Sequence, residues 1–353
     1  MRTLLVFAAL GAAACGHNDV FQPQEPVGLP PRGGGAFHRV TFNTGDDRFP
    51  TWLPGDSAIA YALEASDELG EDRCIATVRA EGGTRRPLAC LHRLGTDSAA
   101  NSDWPAARDG GRIAYVWEPV KPYPSNGTPD SAIVFIDELT APGAPRAVFT
   151  FPYVEPGVRF YHTVSHLRWL NADTLVAIAI TNAVTRDCSA CPFRPVRIGR
   201  DVVLLDLTTS PATLSVVPGT GTATAVARGP TGNDVYYTIA GDTRVFHRLV
   251  ATGDSAVVHD FGAVGIARDV SVAGARLAAV VGGSVSYRVD IVGPIQDDSG
   301  GPVHLFNVTT GVDSVLPDSG VLYRHPVLAP SGGRLVVEGW RSGQADVWHF
   351  FIP

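Results

Sequence analysis

Charge is scarce in this chain. Only 18% of its 353 residues are Asp, Glu, Lys or Arg, the net charge is −7, and no cluster of Lys and Arg stands out. A surface without a basic patch gives a phosphate backbone nothing to grip, which excludes a nucleic-acid partner. Beyond residue 14, no apolar run reaches the roughly eighteen residues that a bilayer-crossing helix needs. There is no G-x-S-x-G elbow for a serine hydrolase, and a single Met leaves no Met-rich adaptable surface. What the chain has in quantity is turn-formers: 38 Gly and 27 Pro beside 45% hydrophobic residues. That composition fits many short strands joined by turns around an ample core.

A phrase recurs along the sequence: an aromatic or His followed by Pro, a few residues, a Gly/Asp/Asn turn, and an apolar strand. Its clearest copies begin at Phe49-Pro50, Trp104-Pro105 and His325-Pro326, and weaker ones occupy 167–178, 227–239 and 270–281. Aligning the apolar strand of each copy on Ile59, Ile113, Leu175, Val235, Leu277 and Leu335 gives intervals of 54, 62, 60, 42 and 58 residues. Repeats at this period mean an array of like units. A second hairpin-like pair follows each copy, 74–78 with 86–91 being the first, so each repeat holds four short strands. The last repeat has only three, ending at 345–351, while the run 37–42 precedes the first repeat without a partner. Together they predict an all-β, six-bladed β-propeller over 37–353, closed by an N-terminal strand that completes the last blade and hides its edge.

The copies and this closure resemble the TolB-type, WD-repeat-like six-bladed propellers. That resemblance implies docking to protein partners in the bacterial cell envelope. The N-terminus agrees with export. Arg2, the apolar run 4–14 and the small residues Ala12-Ala13-Ala14 read as a signal peptide over 1–14. Cys15 directly after it resembles the lipidated cysteine of bacterial lipoproteins, with Ala12 where that family usually carries Leu. Residues 15–36, rich in Pro and Gly, read as a tether. The expected location is periplasmic or anchored to the outer membrane through lipid alone.

Exported chains can hold disulfides. Cys74 and Cys90 lie symmetrically about the turn at Gly82, facing positions in an antiparallel pair, and are expected to bridge. Cys188 and Cys191, in a C-x-x-C without a βαβ context, read as a local staple of a long loop. The acidic run Asp67, Glu68, Glu71, Asp72 lacks the spacing of a calcium loop. Asp297-Asp298-Ser299-Gly300-Gly301-Pro302 is similar to a serine-protease nucleophile segment but has Asp297 where an oxyanion donor belongs. Short A–B turns contrast with long segments at 65–72, 118–130, 153–165, 181–200 and 282–302. These fall on one face, the expected binding face, and the repeat residues read as scaffold.

The constellation with chemical promise is His162, His166 and His325, just before the innermost strands. Asp47, Arg48, Asp103, Arg268, Asp269 and Arg324 join them around a central channel. Such a group could hold a metal or polar ligand, or simply line a solvated mouth. Trp117 and Tyr123 in the second long loop would anchor a glycan. No cofactor is expected, and no complete catalytic set is evident. The primary reading is a non-enzymatic protein-binding or scaffold module; its alternative is a hydrolase or metal/small-ligand propeller with a site at the central channel.

Overall fold

The computed structural model describes residues 37–42, 45–64, 73–90, 100–119, 132–151, 159–185, 194–282, 285–290, 293–298, 300–317, 321–341 and 344–352. The expected signal and tether, Cys15, Cys188, Cys191, Tyr123 and the acidic run at 67–72 lie outside the described residues.

The fold is an all-β propeller. Strand β1 (Phe37–Arg39) is followed by a first antiparallel unit of β2 (Asp47–Trp52), β3 (Ala58–Glu64), β4 (Arg73–Arg79) and β5 (Arg86–Ala89). A second holds β6 (Ala100–Arg108), β7 (Arg112–Pro119), β8 (Ile133–Glu138) and β9 (Arg146–Thr150), and a third β10 (Arg159–Trp169), β11 (Thr174–Thr185), β12 (Arg194–Asp206) and β13 (Thr213–Val216). A fourth holds β14 (Ala223–Arg228), β15 (Asp234–Ile239), β16 (Arg244–Leu249) and β17 (Ser255–Asp260). Next come β18 (Ala267–Ala273), β19 (Arg276–Val281), the hairpin β20 (Val285–Asp290) with β21 (Gly293–Asp298), β22 (Val303–Asn307) and β23 (Asp313–Val315). The chain closes with β24 (Leu322–Leu328), β25 (Arg334–Arg341) and β26 (Gln344–Phe351).

Pairing gives four separate four-stranded sheets and one of eight strands, in which the first two units share a single parallel bridge, Arg73 with Asn101. The hairpin β20–β21 stands as its own two-stranded sheet. The expected closure is present. β1 pairs antiparallel with β26, Phe37 opposite Phe350 and His38 opposite His349, completing the sheet β1-β26-β25-β24. Arg39 reaches Asp346 at 2.7 Å, and Val40 N–H donates to the Val347 carbonyl at 2.7 Å.

The core sits between units. Six apolar clusters are found among the described residues, and each draws on two neighbouring units. Ile75 and Ile113 share one, Val164 and Val134 another, and Trp52, Val40 and Val336 form the one that joins the ends of the chain. Strands alternate their side chains, so each sheet offers an apolar face to both neighbours. The first strands touch in a ring, β2 to β6, β10, β14, β18, β24 and back to β2.

Three expected long loops are largely strand, and β10 takes residues 159–165 of the expected loop 153–165. β11 and β12 carry the sheet to Thr185 and from Arg194, leaving only 186–193 of the expected loop 181–200 outside the described residues. The segment 282–302 contains the β20–β21 hairpin. What makes them strand is cross-strand pairing, Thr181 opposite Gly199 and Val285 opposite Asp298, which composition alone does not reveal. Trp117, expected in a loop, sits half-buried in β7 opposite Ile133. The disulfide Cys74–Cys90 is present, with Cα atoms 4.6 Å apart across the β4–β5 pair.

Candidate functional site on the propeller axis

The repeated aromatic-Pro phrase has a local reason. In four inner strands the pairing register slips so that two residues face one: Phe49-Pro50, Trp104-Pro105, His166-Leu167 and His325-Pro326. These are β-bulges, which re-aim a side chain at a defined point in a strand. Proline suits the slipped position because no ladder bond needs its missing N–H. The first residue of each slipped pair takes a positive φ: 54° at Phe49, Trp104 and His166, and 47° at His325. Non-glycine residues there cost about 1–3 kcal/mol each and persist only where surroundings compel them.

The surroundings are one another. Phe49 stacks on Trp104 with centroids 4.0 Å apart, and Trp104 lies 4.4 Å from the His166 ring and 4.8 Å from that of His325. Four bulges from four inner strands thus turn their rings onto the axis and close it with an aromatic plug. The repeat phrase is therefore not scaffold alone, which corrects the expectation from sequence. Its first residue builds the centre.

Asp269 of β18 binds this plug. Its Oδ2 accepts from the His325 backbone N–H at 3.0 Å and lies 2.8 Å from His325 Nδ1, while Oδ1 accepts from Val270 N–H at 2.8 Å. His166 Nε2 lies 3.5 Å from Asp269 Oδ1, and His166 Nδ1 lies 3.0 Å from Ser165 Oγ. All three groups are buried, at 2%, 3% and 6% exposure for His166, Asp269 and His325. They do not line a solvated mouth. Burial lowers the His166 pKa against the pull of Asp269. For Asp269, burial opposes ionisation, but the two imidazoles outweigh it and hold the carboxyl well below its usual range.

Two residues further along each inner strand, side chains return to the axis. Thr51, Ala106, Arg168, Ala227, Ser271 and Val327, one from each strand of the ring, line a cavity of about 410 Å³ beside the plug. Asp109, Pro230, Gly274 and Pro330, at or next to the short A–B turns, line it too. The cavity therefore opens on the face opposite to the one expected from loop length. Five of the six wall positions are small or apolar. The sixth, Arg168, donates from Nη1 to the Leu167 carbonyl at 2.9 Å, and burial lowers its pKa although Asp269 favours its charge. Arg228 also reaches this lining.

The other sequence candidates have different work. Asp103 forms a two-pronged pair with Arg73, at 2.7 and 2.6 Å, fastening the first unit to the second. Asp47 is fully buried, and its charge helps raise the Tyr61 phenol pKa, which burial already lifts. Arg324 lies over the Trp340 ring at 4.3 Å and 3.9 Å from Glu338, while Arg48 pairs with Asp46. Arg268 is buried beside Asp269. The His162 backbone is opposite Thr181, and its side chain is outside the described residues. Sequence reasoning missed Phe49 and Trp104, whose only signal was the Pro that follows. It also missed Glu338, whose Oε1 accepts from Trp340 Nε1 at 2.6 Å and whose Oε2 lies 4.0 Å from His325 Nε2. Glu118 was missed as well: its Oε1 accepts from Val164 N–H, and burial, then Asp103, push its pKa up to about 7.

No known protein-family description matches this sequence, and no curated protein does. Solved structures are similar. One is TolB from Acinetobacter baumannii, at 14% identity and TM-score 0.51, covering 85% of this chain and 65% of that one. Another is the WD40 repeats of RRP9, at 13% and 0.50, covering 93% and 100%. A third is an oligogalacturonate lyase described in complex with manganese, at 12% and 0.50, covering 93% and 96%. This chain thus spans about 65% of the length of that TolB. At such identities the likeness establishes one thing, the β-propeller fold.

Proposed function

We propose that this chain is an exported, six-bladed propeller that binds a protein partner in the bacterial cell envelope, without catalysis, and receives it at the axial cavity. Counting the eight-stranded sheet as two blades joined by one bridge gives six, in step with the six inter-unit clusters. Export is supported by the basic-apolar-small N-terminus ending at Cys15, which would be lipidated, and by the Cys74–Cys90 disulfide. The observation that carries the binding role is the cavity itself. Six strands surround it, five of them with a small or apolar side chain at the wall, and the guanidiniums of Arg168 and Arg228 are suited to a carboxylate on the partner. The test is a photo-crosslinker at Ala107, on the cavity wall, in cells of the source organism. One discrete adduct is expected, lost when Ala106→Trp fills the cavity and weakened by Arg168→Glu. An adduct indifferent to both changes would overturn the reading. Fractionation of Cys15→Ser, expected to leave the membrane while keeping the adduct, separates tether from binding site.

A second reading, a hydrolase or metal/small-ligand propeller with its site on the axis, is favoured by the convergence of His166, Asp269 and His325. Purified protein that turns over no ester, phosphoester or glycoside, with or without added divalent metal, would exclude its hydrolytic form.

A further inference from the structure

We propose that His166, Asp269 and His325 form a binding site for one divalent first-row transition ion on the propeller axis. The inference stands on side-chain geometry and is independent of whether the cavity receives a protein. One ligand atom from each residue lies within 4.8 Å of the other two. They come from β10, β18 and β24, three different units, and are all buried. His166 Nε2 is the informative atom. It is buried, has no hydrogen-bond partner, and faces Asp269 Oδ1 at 3.5 Å. That is longer than the roughly 2.7–3.2 Å of an ordinary N–H···O bond. It is close to the roughly 3.3 Å that separates two ligands on a tetrahedral ion at bonds of about 2.0–2.1 Å.

A hydrogen-bonded staple across the axis would need both imidazoles bonded to the carboxylate, and only His325 Nδ1 is, at 2.8 Å. An ion would replace that proton, releasing it to solvent, and would satisfy His166 Nε2 at the same time. The orienting contacts that metal ligands need are in place: Ser165 Oγ on His166 Nδ1, Val270 and His325 backbone N–H on the carboxylate. Two imidazoles with one carboxylate suit zinc, iron(II) or cobalt(II) rather than calcium or magnesium. Trp104 and Phe49 keep the site dry, and the cavity one layer away is the entry path. Arg168 brings a like charge to that path, so its removal should tighten the ion.

The experiment uses full-length protein carrying Cys188→Ser and Cys191→Ser, which removes the C-x-x-C thiols as competing donors, stripped with a chelator. Cobalt(II) is followed by visible absorption and zinc by calorimetry. Expected are one equivalent bound, the d–d absorption of a low-symmetry site, and affinity lowered at least tenfold in His166→Ala and Asp269→Asn, on the scale of ligand loss. Arg168→Ala should bind more tightly. Calcium should not compete. The proposal fails if the parent protein shows no saturable one-equivalent cobalt spectrum, a reading that needs no variant to fold. It fails equally if a folded His166→Ala binds as well as its parent, or if calcium displaces cobalt at equal concentration.

Discussion

His349 is fully buried, its ring edge-on to His38 at 5.0 Å and to Trp52 at 5.4 Å. Burial first, then the nearby His38 charge, push its pKa down to about 3. The folded protein therefore keeps this imidazole neutral, whereas the unfolded chain protonates it near 6.5. The stabilisation is complete above pH 6.5 and drains away as pH falls towards 3, because the unfolded state binds the proton the fold refuses. Substituting His349→Leu removes that term. Between pH 7.5 and 4.5 the variant should gain about 2–3 kcal/mol on the parent protein in urea denaturation. A pH-independent difference between the two would sink the assignment. The same burial logic acts at the plug, where strained positive-φ residues are held by the rings they face.

At the scale of elements, inner strands are fastened by the indole at the end of each of two phrases. Trp52 Nε1 donates to the Val327 carbonyl at 2.9 Å, and Trp169 Nε1 donates to the Ala106 carbonyl at 2.8 Å. Each bond crosses from one unit to another. Replacing either Trp by Phe keeps the ring but strands a buried carbonyl, which should cost about 1–2 kcal/mol. The two sites share no partner, so the double variant should lose the sum; a urea midpoint unmoved in both single variants would refute the role. Strands of this kind were readable, since Gly turns and apolar runs such as Ile59–Tyr61 are local signals. So was the Cys74–Cys90 pair, whose symmetry about Gly82 is local too. The axis was only partly readable. His166 and His325 could be placed near it, but a bulge changes which face a residue occupies, and period-two reasoning does not see a bulge. That His166 meets Asp269 depends on distant strands wrapping a ring, a non-local fact that no spacing encodes.

Over the whole molecule, stability depends on the one sheet that joins both ends. Phe37 stacks on Phe350 at 5.3 Å, and Thr41 Oγ1 accepts from Val347 N–H at 3.0 Å. Deleting residues 37–42 should bare the β26 edge and open the cluster that holds Val40, Trp52 and Val347. A lower melting temperature and concentration-dependent association in gel filtration are expected; a monomer melting within about 2 °C of the intact protein would show the ring does not need its seam.

That seam also imposes a timetable. A ribosome delivers Arg39 long before Asp346, its partner 307 residues later. The strand made first is the strand used last. Until β26 has been made, β1 has no mate, and every partial ring leaves raw edges on both flanks. Closing so long a loop must be compensated in one late step. Its open edges stay available to other chains in the meantime, and the molecule becomes safe from sticky pairing only when β1 and β26 meet.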